Sequence, residues 1–175
     1  MAAVPSVPVL PLPAGLASCQ AAVTYDDAVG AALVGLKNAD RRGRVTTFAD
    51  CLVELVPEEP GLVVTWAPTG ARRRHRRGFD HAELLARAVA RRRRLPVVAL
   101  LRRGAGPAQA GRSAAERRTG PKLEAARRCP WPVLVIDDVA TTGATLAAAA
   151  GALRRAGAPV VHGLVVARAP VRPGG

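Results

Sequence analysis

The chain has 175 residues, enough for one domain with a substantial buried core. Its formal charge is +13, and all but two of its 26 basic residues are Arg. That surplus attracts polyanions (phosphates, nucleic acid, anionic membrane surfaces) without choosing among them. Cys19, Cys51 and Cys129 are widely spaced and form no CxxC or Cys/His cluster, so neither a disulfide framework nor a zinc site is supported, and a reducing cytoplasm is the expected compartment. No stretch approaches about 20 uninterrupted apolar residues, so no membrane span is expected.

Residues 1–20 are apolar, but Pro5, Pro8, Pro11 and Pro13 break any helix, so they read as a flexible arm. Within it, Leu16-Ala17-Ser18-Cys19 matches the small-residue pattern before a lipidated bacterial cysteine. The missing Lys or Arg before the apolar run and the prolines inside it argue against that reading. From Thr24 to Lys37 the periodicity predicts a helix, capped by Thr24 or Asp26, with Val29, Leu33 and Leu36 on one face. A basic turn follows, Arg41-Arg42-Gly43-Arg44. A second helix is expected from Thr46 or Thr47, burying Phe48, Cys51, Leu52 and Leu55, and closed by Pro57 and Pro60. Residues 21–60 thus read as a short helical hood, with Cys51 a buried structural thiol.

Leu62 to Ala67 is a strand of β-formers that runs into Ala67-Pro68-Thr69-Gly70, which is turn chemistry. Ten arginines then fall between Arg72 and Arg94. Asp80 can cap a helix there, with Glu83 as the reciprocal acid and Phe79, Leu84, Leu85, Ala88 and Val89 as its apolar side. Arg91 to Arg94 end that helix as a solvated cap favoured by its dipole. His75 sits among arginines that disfavour its protonation, His81 reads as a surface or satisfied histidine, and His162 as structural. Leu95 to Leu101 is the next strand. Arg102 to Pro121 is Gly-, Ala- and Arg-rich and reads as a long mobile loop. Gly104-x-Gly106 lacks the third glycine of a dinucleotide site.

Residues 133 to 146 carry the most chemistry. Val133-Leu134-Val135-Ile136 runs into Asp137 and Asp138, then a small loop from Thr141 to Thr145, then an Ala-rich helix from about Gly143 to Ala156, stopped by Gly157 and Pro159. A buried strand ending in acids, a tight turn and a helix N-terminus make a site for a phosphorylated sugar. Loop N–H groups and the helix dipole favour the phosphate, and carboxylates accept from ribose hydroxyls. Val160 to Ala167 is a final strand, followed by a Pro/Gly tail, 169–175, expected to be disordered. Four apolar strands separated by helices predict an α/β fold with a mostly parallel central sheet flanked by helices. Ligands of such sheets sit at the carboxyl ends of the strands.

The pattern from Val133 to Thr145 resembles the signature of type I phosphoribosyltransferases that binds phosphoribosyl pyrophosphate (PRPP). Three other stretches resemble the ComF family, phosphoribosyltransferase-like proteins associated with bacterial competence and DNA uptake. These are Ala31 to Lys37, with its terminal Leu-Lys; Pro68 to Ala86, similar to that family's Pro-x-x-x-Arg-Arg…Arg-Gly-Phe-Asn-Gln-Ala-Glu-Leu-Leu-Ala; and Gln109 with Glu116-Arg117-Arg118. The chain departs from that pattern in lacking a four-cysteine zinc ribbon, in Asp80-His81 where the family has Asn-Gln, and in Gly120 where it has Asn.

The resemblance implies a type I phosphoribosyltransferase-like domain over 61–168 that binds PRPP with magnesium. Asp137 and Asp138 would be the catalytic pair, holding the ribose hydroxyls directly or through hydrated magnesium. Ala140, Thr141, Thr142, Gly143, Ala144 and Thr145 would wrap the 5′-phosphate. Ala67, Pro68, Thr69 and Gly70 would form the pyrophosphate loop, with Arg72, Arg73, Arg77, Arg102 and Arg103 as candidates to neutralise the leaving group. The transferase reading has one rival, a non-catalytic module binding single-stranded DNA or other nucleic acid through the Arg-rich surface. Scarce aromatics deprive that rival of a base-stacking platform.

Overall fold

Val133–Ala140 opens with four consecutive buried side chains, and all eight residues of Val161–Arg168 are buried. Strands covered on both faces need no polar alternation, which is why these two read as continuous apolar runs. In the computed structural model, which describes residues 12–25, 41–68, 80–104 and 120–169, the elements are β1 (Ser18–Thr24), α1 (Arg41–Val53), β2 (Val63–Trp66), α2 (His81–Arg93), β3 (Leu101–Arg103), β4 (Leu123–Ala125), β5 (Val133–Ala140), α3 (Ala144–Arg155) and β6 (Val161–Arg168). A four-stranded sheet has the order β1-β6-β5-β2 with every pairing parallel, while β3 and β4 form a separate antiparallel pair. The fold is therefore α/β, with a mostly parallel central sheet flanked by helices. One apolar cluster joins α1 and α2 to one face through Leu52, Leu85, Val89, Leu134, Ile136 and Leu164. The other joins α3 and the β3–β4 pair to the opposite face through Leu146, Leu153, Leu123, Val133, Val135 and Val165.

The amino-terminal region differs from the expected arm and hood. Residues 13–16 pack beside α3, and β1 occupies positions assigned to the arm and to the start of a helix. Only Ala21 of β1 is buried, so this edge strand carries almost no alternation, and pairing offered by β6 decides its conformation. Leu16 is buried in a slot opened by Gly163, where a Cβ would lie 2.9 Å from Leu16 Cδ1. Residues 26–37 of the expected Thr24–Lys37 helix, with the Ala31–Lys37 resemblance, lie outside the described residues, as do residues 1–11 and 170–175.

Helix α1 starts at Arg41, so Arg41-Arg42-Gly43-Arg44 forms its first turn rather than a loop. It presents Ala49 and Leu52 to the core, with Val56 just beyond its end, and shares that core with α2 and the sheet. Cys51 is exposed, contrary to expectation, because Ala49 and Leu52 define the inward face. Asp80 caps α2 as predicted, accepting from the Ala82 N–H at 3.1 Å. Glu83 accepts from Arg87 Nη2 at 2.9 Å. Arg91 to Arg94 are more than a solvated cap. Arg92 Nε donates to Asp50 of α1 at 2.6 Å, Arg93 pairs with Glu58, and Arg94 takes the left-handed C-cap with φ 55°.

The expected strand over Leu95–Leu101 is reduced to one parallel bridge, Val64↔Val97. Pro96 has no N–H to continue a ladder, so the contact rests on Val64 N–H to Pro96 O, Val98 N–H to Val64 O, and Leu100 N–H to the buried Thr65 Oγ1. Pairing of β3 with β4 closes the base of the Arg102–Pro121 stretch, whose residues 105–119 lie outside the described set. Among the described residues, no helix is long and apolar enough to cross a membrane.

Leu16→Ala is expected to lower stability by about 2–4 kcal/mol, the cost of emptying a buried leucine site. Urea denaturation checks this; an unchanged midpoint would mean that the segment is a free arm after all.

Candidate functional site

The site begins with a mismatch of strand lengths. The last β2–β5 pair is Trp66↔Ile136, and Ala67 N–H donates to Ile136 O at 3.0 Å. Beside β6, however, β5 continues to Ala140, which pairs with Arg168. Asp137 to Ala140 therefore form a ledge with no β2 residue alongside. The chain leaves β2 outward, to the bridge at Val97, and returns on its other side as β5. The ledge thus lies at a topological switch point, outside the carboxyl ends of the strands, where open α/β sheets bind ligands.

The N-terminus of α2 closes this space from one side. Asp80 and His81 are both buried, and His81 Nδ1 lies 3.9 Å from Asp138 Oδ2. Asp137 Oδ1 accepts from the Asp138 N–H at 2.9 Å, and Asp138 Oδ1 accepts from the Val139 N–H at 2.8 Å. Burial pushes the Asp137 carboxyl well above the usual carboxylate range. The charge of Asp138 and, more weakly, that of Asp80 act in the same direction against the backbone hydrogen bond.

At the far end of the ledge, Thr141 and Thr142 are exposed and Gly143 is the N-cap of α3, at φ 74° with no side-chain cap. Thr142 Oγ1 accepts from the Ala144 N–H at 3.3 Å. Glycine is required here, because other L-residues avoid this φ. The first turn of α3 presents backbone N–H groups and the positive dipole end to whatever sits above the loop. Gly120, the residue just after the undescribed stretch, lies against this turn, and a Cβ on it would fall 2.7 Å from Ala144 O. Its φ of 71° lies in the left-handed region that favours glycine. The tight approach to Ala144 favours Gly in this chain.

Ala67 is buried and Pro68 half-buried beside the ledge. Arg103 Nε donates to Pro68 O at 3.0 Å, which ties the base of the β3–β4 pair to this turn. Arg102 is turned instead to Glu124, in an exposed pair at 3.0 Å. Of the residues singled out in the sequence, Asp137, Asp138, Ala140 to Thr145, Ala67, Pro68 and Arg103 therefore gather at the carboxyl ends of β2 and β5. Thr69, Gly70, Arg72, Arg73, His75 and Arg77 lie outside the described residues. Asp80 and His81 are additions. Of the surface and satisfied readings of His81, its burial removes the first. His162 lies at the opposite, amino end of the strands, with Nδ1 2.8 Å from Ser18 Oγ and Nε2 3.5 Å from Glu59 Oε2, which is the structural role expected. Among the described residues, no group of three or more His, Cys, Asp or Glu side chains is arranged to hold a metal ion.

No protein-family model matches the chain, and no curated protein does. Among solved structures, the chain is similar to a crystal structure of adenine phosphoribosyltransferase from Leishmania tarentolae. The two are 16% identical with a TM-score of 0.44, over 73% of this chain and 71% of that one. Likeness at that level says nothing of what this chain binds.

Asp137→Asn is expected to raise the melting temperature near neutral pH. A carboxyl whose pKa is raised by folding contributes stability below its unfolded value, about 3.9, and loses it as pH rises through the folded value. The gap between variant and wild type should therefore close below about pH 4. Thermal melts across a pH series read this, and equal melting temperatures at neutral pH would contradict it.

Proposed function

We propose that the chain has a type I phosphoribosyltransferase-like fold, binds PRPP on the Asp137–Thr145 ledge, and transfers the phosphoribosyl group to an acceptor with release of pyrophosphate. The observation that carries this reading is the convergence of three unlike surfaces at one switch point. An acid pair suits a ribose diol, a glycine-capped helix N-terminus suits a phosphate monoester, and the Ala67–Pro68 turn with Arg103 suits a second anionic group. PRPP carries all three, with the ribose diol between the 5′-phosphate and the pyrophosphate.

In this reading the 5′-phosphate accepts from backbone N–H groups of Thr141 to Thr145, and Asp137 and Asp138 take the ribose hydroxyls. The bond from the anomeric carbon to pyrophosphate breaks as the acceptor's lone pair forms the new bond, and the acceptor's proton passes to solvent. Positive charge develops on the sugar in between, and the carboxylates beneath it stabilise that charge. The residues fit magnesium that arrives with the substrate. Two carboxylates offer hard oxygen ligands but not a complete cage, so Asp137 and Asp138 would meet the ion through water. Magnesium bound in that way supplies charge neutralisation on the leaving pyrophosphate. Thr69, Gly70, Arg72, Arg73 and Arg77, which lie outside the described residues, are the further candidates for the pyrophosphate, and Arg102 serves only by exchanging its Glu124 partner.

Millimolar PRPP with magnesium is expected to raise the melting temperature of the wild type. The Asp137→Asn/Asp138→Asn variant should bind at least about tenfold more weakly, the loss of one or two charge-assisted hydrogen bonds. No stabilisation of the wild type would sink the proposal.

The net charge of +13 favours a second reading, a module that binds single-stranded nucleic acid. Arg87, Arg92 and Arg93 each face an acid, which removes much of the basic surface that α2 would present. On the PRPP reading, any oligonucleotide affinity is weak, collapses between low and physiological salt, and is indifferent to Asp137→Asn. Fluorescence anisotropy against salt distinguishes the two. Tight binding that persists at physiological salt would favour the nucleic-acid module.

A further inference from the structure

Residues 13–17 run alongside α3 and touch it at three points. Pro13 lies against Gly143 at the helix N-terminus, Gly15 against Ala150, and Leu16 beside Leu146 and Gly163. The first contact is close. A Cβ built on Gly143 would lie 2.9 Å from Pro13 Cγ and 3.4 Å from Pro13 Cβ. The ring is also fixed in place. Leu16 N–H donates to Pro13 O at 3.2 Å, closing a turn in which Gly15 takes φ 84°, and Ala17 N–H donates to Val161 O at 2.8 Å. From Ser18 onward the chain is a strand of the sheet.

Gly143 is the most permissive residue of the candidate phosphate loop, and no side chain caps the helix from it. Its left-handed φ is one of several conformations open to glycine, so the loop's shape depends on what packs against it. A proline ring has a fixed φ and almost no side-chain freedom, and it offers no donor to an anion. It can serve the loop only by contact.

We propose that Pro13 is a positioning residue for phosphate binding. Resting on the PRPP reading, it acts through Gly143 to hold the Thr141–Thr145 amides in the arrangement that accepts a phosphate monoester, as in ribose 5-phosphate. The amino-terminal strap is then a working part of the site. It removes conformational freedom before the ligand arrives, and that lowers the entropic cost of binding. Leu16 and the β1–β6 pairing keep the strap in register with α3.

The test uses the full-length chain as wild type, Pro13→Ala and Pro13→Val, at a temperature where all three are folded. Valine keeps a Cβ and two γ-carbons against Gly143, whereas alanine keeps only Cβ. By calorimetry, Pro13→Ala is expected to bind ribose 5-phosphate about three- to tenfold more weakly, and Pro13→Val within about twofold of wild type. Without ligand, the Ala144 and Thr145 amides should exchange hydrogen faster in Pro13→Ala, while β5 amides keep the wild-type rate. Wild-type exchange rates in the loop of Pro13→Ala would overturn the positioning role whether or not the protein binds the sugar phosphate. Equal or tighter ribose 5-phosphate binding by Pro13→Ala would also overturn it. Absence of binding by the wild type, with the exchange difference present, would count against the PRPP reading and leave the clamp on Gly143 established.

Discussion

The site depends on β5 outrunning β2. Both strands are buried and register-matched from Val63↔Val133 to Trp66↔Ile136, and then only β5 goes on, held by β6 as far as Ala140. A strand in the middle of a sheet would ordinarily lose backbone partners where its neighbour stops. Here Asp137 and Asp138 hydrogen-bond the amides of the next residue, so the acids support the backbone of the ledge they stand on. Asp138 Oδ2 is left 3.9 Å from His81 Nδ1. The N-terminus of α2 fills one side of the space at the carboxyl ends with Asp80 and His81, and the N-terminus of α3 bounds another.

Charge is sorted by position. The chain as a whole is strongly basic, yet three carboxylates, Asp80, Asp137 and Asp138, stand together at the ends of β2 and β5. Crowding and burial push the Asp137 carboxyl up, and His81 supplies the nearby imidazole. On the proposed reading, the basic exterior draws in an anion, and the acid pair selects for hydroxyl groups attached to it. A phosphorylated sugar satisfies both demands, while a plain polyanion satisfies only the first.

The central part of this arrangement was legible in the sequence for physical reasons. β5 is buried from both sides, so Val133 to Ile136 had to be apolar without interruption. The turn into α3 needs glycine at positive φ, and that leaves a short, dense signal. Edges were harder to read. β1 buries only Ala21, and its pairing with β6 is a long-range choice that no local pattern announces. Pro96 cut the Leu95–Leu101 strand to one bridge, although the apolar run around it looked sufficient. α1 runs through the arginines expected to form a turn, and its inward face falls on Ala49 and Leu52, which leaves Cys51 at the surface. His81 was hidden for another reason. Its helix could be foreseen, but its approach to Asp138 depends on how α2 docks against β5.

Amide chemical-shift mapping of the labelled protein, titrated with PRPP and magnesium, tests the central claim most directly. Saturable shifts centred on Asp137 to Thr145, with smaller ones at Ala67 and His81, are predicted. Shifts confined to the exposed face of α2, or none at millimolar PRPP, would contradict the account.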